Sequence, residues 1–354
     1  MSEKLRFGIV GCGVIGPTHA EAIAHLPEAT LVAVADLKPE QAQHLAQKYQ
    51  ANAYPSLQEM LASEQLDVVD VCTPSGTHGE HACQVMQAGC HVIVEKPMEI
   101  TRQRLDEMLR VQQETGRKLA VISQHRFDEA TMQIHALVEE KALGRLVLGN
   151  AIVPWWRSQQ YYDSGAWRGT WALDGGGILM NQSIHSIDVL QWLMGPVKSI
   201  YAYTDTLVHR METEDVAVAV LRFANGALGT ISATTGAYSG VTTLIQICGD
   251  QGSAVIENDQ LAFLSLARDA QEEVGPYGSK PTTPTSMSTT QQSGTASNAA
   301  ALTGTTHMLQ IADMIRAIRE DGQPLVDGNA ARHPVDIILG VYESARTHKE
   351  VTLS

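Results

Sequence analysis

The first third of the chain alternates continuous apolar runs with stretches of helical periodicity. The apolar runs predict strands at residues 6–10, 31–35, 68–72, 91–94 and 119–122. Apolar side chains at helical spacing predict helices at residues 14–26, 39–49, 79–88 and 102–115. Continuous apolar strands are typical of a parallel sheet that is covered on both faces. Because strands and helices alternate, we expect an α/β domain with a doubly wound parallel sheet over residues 1–123.

After residue 123 the strand patterns follow one another directly. They occupy residues 147–153, 199–204, 215–223, 227–234, 243–248 and 254–257, and Asn225-Gly226 between two of them is a strong hairpin signal. The pattern predicts an α+β domain over residues 124–354 with a large, open and mainly antiparallel sheet. Polar and apolar residues alternate along its strands, which predicts one face packed on helices and one free face. A free sheet face of this size is often an oligomer interface.

Helical periodicity in the second domain predicts a helix at residues 178–194 and closing helices within residues 308–347, at 308–319 and 331–347. The segment before the closing helices, residues 275–305, is rich in Ser, Thr, Pro and Gly and lacks apolar periodicity. We expect a long mobile loop there, since such a composition cannot bury a hydrophobic face.

A glycine-rich turn joins the first predicted strand to the first predicted helix. It comprises Gly11, Cys12, Gly13, Val14, Ile15 and Gly16, and Asp36 ends the next apolar strand 20 residues later. In such a turn the first glycine permits a tight bend, the second admits a pyrophosphate, and the third lets helix and strand pack closely. Free N–H groups at the helix start then face the phosphates. The spacing predicts a dinucleotide-binding site. Asp36 favours NAD over NADP because its carboxylate accepts a hydrogen bond from the ribose 2′-hydroxyl.

Polar residues follow several of the predicted parallel strands at the carboxyl edge, where doubly wound sheets bind ligands. Lys96 precedes a proline that restricts its backbone, so its ammonium group is held where it can stabilise an alkoxide. The alternative for Lys96 is an ordinary surface turn. Arg126 either reaches the substrate or forms a structural ion pair. We predict cofactor contacts at this edge from Thr73, Pro74, His78, Glu95, Lys96 and Gln124.

The predicted helix after Gly175-Gly176-Gly177 carries a stripe of Asn181, His185 and Asp188. Surface stripes are usually Lys, Glu and Gln, so this one suits the wall of a polar pocket that binds substrate. An imidazole takes a proton at neutral pH, as the oxidation of an alcohol requires, although a lone helical histidine is usually structural. All five tryptophans lie between residues 155 and 192, where they form either a sugar-binding surface with Trp155 or a satellite core.

The composition limits which binding partners and which cellular compartment we expect. The chain has 354 residues, a hydrophobic fraction of 44% and a net charge of −14. So acidic a surface repels nucleic acids and anionic lipids, and no apolar run reaches membrane-spanning length. The five cysteines contain no C-x-x-C pair, which favours reduced thiols, and the first strand begins without a signal peptide. We expect a cytoplasmic protein that binds neither nucleic acid, membrane nor metal.

Taken together, these motifs resemble the glucose–fructose oxidoreductase/inositol dehydrogenase (Gfo/Idh/MocA) family over nearly the whole chain. The resemblance implies an N-terminal Rossmann domain and a C-terminal domain whose open sheet forms homodimers or homotetramers. It also implies acid–base and hydroxyl-orienting roles for Lys96 and His185, with Gln124, Trp167 and Arg168 near the nicotinamide. The motifs that carry it are the glycine turn, Cys72-Thr73-Pro74, Glu95-Lys96-Pro97, the glycine–histidine helix, and Glu214-Asp215 before Asn225-Gly226.

The sequence departs from many sugar and cyclitol dehydrogenases of this family at Asn181, where they have Asp. Asn cannot accept a proton, so His185 must act without that carboxylate. Asn at this position is also similar to the branch that acts on nucleotide-linked amino sugars and uronates.

We therefore predict an NAD-dependent oxidoreductase that transfers hydride between nicotinamide and a secondary ring hydroxyl of a sugar, sugar derivative or cyclitol. In this hypothesis Lys96 holds the reacting hydroxyl and His185 takes its proton, so both nitrogens must reach one oxygen. Two alternatives remain open. One is a glycosidase that uses bound NAD transiently, and the other is a non-catalytic regulatory protein that binds the dinucleotide.

Overall fold

The structure is a computed structural model that describes residues 3–269 and 304–353. These residues form two compact units. The first contains residues 3–124, 167–176 and 304–335, and the second contains residues 125–166, 177–269 and 336–353. The mobile loop expected at residues 275–305 lies outside the described residues, apart from its last two positions. Within the described ranges, no helix combines the length and the apolar character that crossing a membrane requires.

The first unit contains one six-stranded parallel sheet. Its strands are β1 (Leu5–Val10), β2 (Ala29–Ala35), β3 (Asn52–Tyr54), β4 (Val68–Val71), β5 (His91–Val94) and β6 (Leu119–Val121). Its helices are α1 (Gly16–His25), α2 (Pro39–Tyr49), α3 (Leu57–Ser63), α4 (His78–Gln87), α5 (Arg102–Thr115) and α9 (Thr305–Arg319). The strand order is β3-β2-β1-β4-β5-β6, with every pairing parallel. The predicted doubly wound sheet is confirmed, and its order reverses between β1 and β4, where such sheets bind ligands.

Helix α9, near the end of the chain, completes the core of this first unit. Phe7 and Ile9 of β1 are fully buried, and Ile311 and Met314 of α9 belong to the same hydrophobic cluster. Helix α9 packs against α1, the helix that follows the glycine turn. The half of the sheet that carries the glycine turn therefore receives part of its covering layer from a segment almost 300 residues away in sequence.

The second unit contains an eight-stranded sheet. Its strands are β7 (Leu146–Pro154), β8 (Val197–Asp205), β9 (Val216–Phe223), β10 (Leu228–Thr234), β11 (Leu244–Gly249), β12 (Gly252–Glu257), β13 (Gln260–Leu266) and β14 (Val351–Thr352). Its helices are α6 (Glu129–Glu139), α7 (Gln159–Asp163), α8 (Ile184–Met194) and the end of α10 (Gly328–Thr347). The order is β13-β12-β11-β7-β10-β9-β8-β14, and only β7 and β10 pair in parallel. The predicted open, mainly antiparallel sheet is confirmed.

One face of this second sheet packs on helices, while the other carries exposed apolar side chains. Helix α8 packs against β7 and β11, and α6 packs against β12 and β13. On the opposite face, the pairing register brings Leu148 beside Leu228 and Tyr203 beside Val218. The exposed apolar residues on this face lie on the four adjacent strands β7, β10, β9 and β8, and they are Leu148, Ile152, Tyr203, Val218, Val220 and Leu228. We call these six residues the open face.

The predicted helix at residues 178–194 differs from the observed one in its first turn. Ile178–Ser183 is a π-helix, and the α-helical part, α8, begins only at Ile184. A π turn bonds each N–H to the carbonyl five residues earlier, so it changes the angular spacing between Asn181 and the residues after it. Only the step from Asn181 to His185 therefore departs from α-helical spacing, since His185 and Asp188 both lie in α8. Asp188 is buried, whereas Asn181 and His185 are partly exposed.

Candidate active site

The glycine turn of the first unit has the geometry of a dinucleotide cradle. Gly11 has a φ of +95°, and a Cβ on it would lie 2.5 Å from the carbonyl oxygen of Cys72. A Cβ on Gly16 would lie 2.5 Å from the carbonyl oxygen of Gly11, at the start of α1. By contrast, a Cβ on Gly13 would meet nothing within 4 Å. Gly11 and Gly16 are therefore fixed by the fold, while the space beside Gly13 is free for a pyrophosphate.

Asp36 lies just beyond the end of β2 and is tied to this turn. Its Oδ2 accepts a hydrogen bond of 2.7 Å from the backbone N–H of Cys12, and its Oδ1 accepts one of 2.8 Å from that of Lys38. The carboxylate is thereby oriented, yet each oxygen keeps a second lone pair for a ribose hydroxyl. Val14, in the middle of the turn, has 68% of its surface exposed, as a residue facing a bound ligand would.

His78 is engaged within the first unit on both sides of its ring. Its Nδ1 lies 2.7 Å from the carbonyl oxygen of Pro97 and its Nε2 lies 2.8 Å from that of Thr73. The residue is 1% exposed, and this burial lowers the pKa of its imidazole. His78 thus joins the loops that follow β4 and β5. It has no ring nitrogen left for the cofactor contact that the sequence predicted.

Lys96 is the only residue between positions 92 and 100 that keeps partial solvent access. Glu95 beside it is buried, with Oε1 2.9 Å from His19 Nε2 and Oε2 accepting the Lys96 backbone N–H at 3.0 Å. Burial favours the neutral acid, but hydrogen bonds from His19 and His307 hold the pKa of Glu95 well below its usual range. Both oxygens of Glu95 are therefore used inside the protein, whereas Lys96 is the charged residue of this loop that keeps partial solvent access.

Gln124 supplies a further sign that a ligand belongs in the first unit. It is 3% exposed, and its side-chain oxygen is buried without a hydrogen-bond partner. Buried polar atoms are nearly always paired, so such an atom indicates a missing donor, and a carboxamide on a ligand would supply one. Arg168 lies 4.8 Å above the ring of Trp167 in the same unit. With the open space at Gly13, these features fit a nicotinamide dinucleotide.

In the second unit, Asn181 and His185 are the only residues between positions 178 and 190 with partial solvent access. Glu214 fixes the turn before them. Its Oε2 accepts the N–H of Gly177 at 3.0 Å, and its Oε1 accepts that of Leu179 at 3.0 Å. A Cβ on Gly177 would collide with the Glu214 carbonyl oxygen, so only glycine fits there. Burial raises the pKa of Glu214 to about 7. The sequence predicted no role for this residue beyond its place in a family motif.

Arg126 and Asp188, both predicted to contact substrate, are bonded to each other inside the second unit. Arg126 Nε donates to Asp188 Oδ2 at 2.8 Å and Arg126 Nη2 donates to Oδ1 at 2.5 Å. The two side chains are 2% and 5% exposed. Of the two possibilities that the sequence left open for Arg126, the structure therefore displays the structural ion pair.

His125 is a neighbour of His185 to which the sequence assigned no role. Their ring centroids lie 5.0 Å apart in an edge-to-face arrangement. The Nδ1 of His125 is 2.7 Å from Asp128 Oδ2 and 3.2 Å from Asp259 Oδ1. Burial opposes a charge on His125, but the two carboxylates raise its pKa to about 10. A cationic imidazole thus stands beside His185. The only sequence signal for His125 was its position after the predicted strand at residues 119–122.

Trp155 lies at the end of β7 in the second unit and is partly buried. Its Nε1 donates a hydrogen bond of 2.6 Å to the Thr243 hydroxyl, and the guanidinium of Arg157 lies 5.1 Å from its ring centroid. One edge of the indole is thus fixed by the protein. Trp156 beside it is 37% exposed and packs edge-on against Tyr238.

Comparison with known proteins agrees with both units. Residues 5–123 match the model of an oxidoreductase family with an NAD-binding Rossmann fold, and residues 131–255 match the GFO/IDH/MocA C-terminal domain. The WlbA dehydrogenase from Bordetella pertussis, solved with NADH and UDP-GlcNAcA, is 34% identical, with a TM-score of 0.86 and 99% of each chain covered.

Two curated relatives are similar over shorter stretches. D-glucoside 3-dehydrogenase of Escherichia coli K12 is 34% identical over 57% of this chain, and the match spans only 58% of that protein's length. Inositol 2-dehydrogenase of Rhizobium meliloti is 28% identical over 74% of this chain and 78% of its own. With both domain models matched and a 34% identical relative covered almost end to end, the chain belongs to the GFO/IDH/MocA family of NAD-binding oxidoreductases.

Proposed function

We propose that this protein oxidises a secondary ring hydroxyl of a sugar, sugar derivative or cyclitol with NAD. The observation that carries the proposal is the pattern of exposure around its reactive side chains. Lys96 in the first unit, and Asn181 and His185 in the second, keep solvent access within stretches that are otherwise buried. Side chains that are not needed for the core and are not fully solvated suit a ligand site.

Each of these residues has a chemical role in the proposal. NAD, when bound, supplies the acceptor for the hydride. The ammonium group of Lys96 donates a hydrogen bond to the reacting hydroxyl and stabilises the charge that develops on its oxygen. His185 takes the hydroxyl proton as general base. Asn181 binds a substrate hydroxyl without exchanging a proton, and Trp155 offers a ring face to the apolar side of the sugar.

The remaining residues hold the cofactor or support the site. We propose that the glycine turn and Asp36 bind the dinucleotide. The orphaned oxygen of Gln124 accepts from the nicotinamide carboxamide. Arg126 and Asp188 support the helix that carries His185, since their charged groups form an ion pair with each other. Further proposed cofactor contacts come from Val14, Ile15, Thr73, Pro74, Trp167 and Arg168.

The relatives suggest two substrate classes. The Escherichia coli and Rhizobium meliloti proteins are named for a glucoside and for inositol, whereas the Bordetella structure contains a nucleotide-linked sugar acid. The second class is supported by the match over 99% of both chains, which the glucoside dehydrogenase does not reach. We therefore propose that a nucleotide-linked uronate be tested on an equal footing with free and glycosidic sugars.

Appearance of NADH on mixing the protein with NAD and a panel of hexoses, glucosides, cyclitols, uronates and nucleotide-linked uronates tests the proposal. At least one class is expected to reduce NAD, with kcat/KM for NADP about tenfold or more lower, because Asp36 repels a 2′-phosphate. Asp36→Asn removes the charge but keeps the shape of the side chain, and it is expected to lower the ratio of kcat/KM for NAD to kcat/KM for NADP.

Three outcomes oppose this proposal in different ways. Equal use of NAD and NADP by the unaltered protein contradicts the role of Asp36. Release of an aglycone without accumulation of NADH identifies the NAD-assisted glycosidase instead. Tight NAD binding, measured by quenching of tryptophan fluorescence, with no turnover of any panel member favours the regulatory alternative.

We also propose that the open face of the second unit binds a second copy of the chain, giving a homodimer or homotetramer. Its six residues lie on four adjacent strands and form one exposed apolar surface. Scattered single apolar side chains are normal on a protein surface, whereas a contiguous apolar patch marks an interaction site. A self-complementary face of this kind closes into a two-fold assembly, since each copy offers the same patch.

Val220→Glu on the open face is expected to shift the protein to its monomer mass in sedimentation velocity, because a buried unpaired carboxylate opposes association. Leu309→Glu on α9 is the matched control, since Leu309 is a similarly exposed apolar residue on the first unit. A wild-type protein that sediments as a monomer, or a variant that associates as the wild type does, contradicts the proposal.

A further inference from the structure

We propose that His19 is a positioning residue for Lys96, acting through Glu95. The inference rests on the catalytic role proposed above for Lys96, and every residue it uses belongs to the first unit. His19 lies in the first turn of α1, directly after the glycine turn, and none of its surface is exposed. It therefore reaches neither substrate nor solvent, and its effect must pass through its neighbours.

The imidazole of His19 bridges two buried carboxylates on adjacent strands. Its Nδ1 lies 2.7 Å from Asp70 Oδ2, in β4, and its Nε2 lies 2.9 Å from Glu95 Oε1, directly after β5. Carboxylate oxygens accept hydrogen bonds, so both ring nitrogens must carry a proton and the ring is an imidazolium. Burial opposes this charge, but Asp70 raises the pKa of His19 well above its usual range.

Glu95 passes this constraint on to Lys96. One carboxylate oxygen is held by His19, and the other accepts the backbone N–H of Lys96 at 3.0 Å. The carboxylate is thus fixed at both ends, and with it the peptide plane from which the Lys96 side chain departs. His307 packs edge-on against His19, with ring centroids 5.2 Å apart, and its Nε2 lies 3.8 Å from Glu95 Oε1.

Stability alone is a weak reason for such a cluster. Removing charges from water is costly, and buried ion pairs are often replaced by apolar residues without loss of stability. An orienting function supplies a physical reason for the cluster. A fixed main chain fixes the direction in which the Cα–Cβ bond of Lys96 leaves the backbone, and it thereby limits the positions that the amine can reach. Small errors of placement at a reacting group cost large factors in rate.

The test is a double-mutant cycle on turnover of the substrate found in the screen. His19→Gln keeps one donor toward Glu95 but loses the charge and the bond to Asp70. It is expected to lower kcat about 10- to 100-fold, with KM and the Kd of NAD nearly unchanged. In a Lys96→Met background, whose residual rate is followed under single-turnover conditions, the same substitution is expected to have almost no further effect. A purely structural role would lower the rate by the same factor in both backgrounds.

Asp70→Asn repeats the cycle with less change of shape, in case His19→Gln does not fold. His91→Asn is the matched control, because His91 is a partly buried histidine at the opposite end of β5. Equal fold-losses with and without Lys96, from either variant, overturn the positioning role while leaving the proposed function intact. If Lys96→Met alone leaves kcat unchanged, the catalytic role of Lys96 fails, and the positioning role fails with it.

Discussion

His185→Asn and Lys96→Met are each expected to lower kcat by about 10²- to 10⁴-fold without unfolding the protein. Asn cannot take the hydroxyl proton, so the alkoxide must form without a general base. Met keeps the length of the lysine side chain but removes the ammonium group that stabilises the oxygen. Both side chains keep partial solvent access in the structure, so neither substitution opens a cavity in the core. The initial rate of NADH formation at saturating substrate measures the effect.

Matched controls separate catalysis from general damage. His44→Asn and Lys198→Met make the same chemical changes at exposed positions, and they are expected to leave kcat within about twofold of the wild type. The Kd of NAD is expected to stay the same in His185→Asn and in the two control variants, since none of these three side chains is a proposed cofactor contact. A catalytic variant with an unchanged rate removes that residue from the mechanism.

The fold could be read from the sequence because local patterns decide it. Continuous apolar strands between helical stretches specify a parallel sheet, and alternating strands with a hairpin turn at Asn225-Gly226 specify an antiparallel one. The glycine turn could be placed from its spacing between a strand and a helix. Of the contacts that require glycine there, the one between Gly16 and Gly11 is local, whereas Gly11 approaches the distant carbonyl of Cys72. What local patterns do not show is which distant segment covers a sheet, and α9 covers the first one.

The candidate site was less predictable, because its details depend on contacts between residues far apart in the sequence. No local sequence pattern shows that Arg126 and Asp188, which are 62 positions apart, form a hydrogen-bonded ion pair. The π turn before α8 is equally hidden, since its residues have ordinary helical spacing and Glu214 holds the turn through backbone N–H groups. The roles of His19 and His125 depend on carboxylates from other strands and turns. The sequence showed which residue types stand at the strand ends, but it did not show which partners those side chains bond to.

The ion pair between Arg126 and Asp188 yields the largest expected effect on stability. Arg126→Met is expected to lower the free energy of unfolding by about 3–5 kcal/mol, because it leaves a buried carboxylate without its partner. Asp188→Leu is expected to cost a similar amount by stranding the guanidinium. The double variant is expected to regain most of the loss, since two apolar side chains of similar size strand no charge. Urea denaturation followed by circular dichroism measures all three values.

The same cycle decides between the two interpretations of Arg126. An exposed pair, Arg104 with Glu107, is the control, and Arg104→Met is expected to change the unfolding free energy by about 0.5 kcal/mol or less. If Arg126→Met is as stable as the wild type but raises KM, the arginine contacts substrate and its bond to Asp188 is incidental. If instead the double variant is stable and keeps its KM, the pair supports the helix that carries His185 and leaves substrate binding to the exposed side chains beside it.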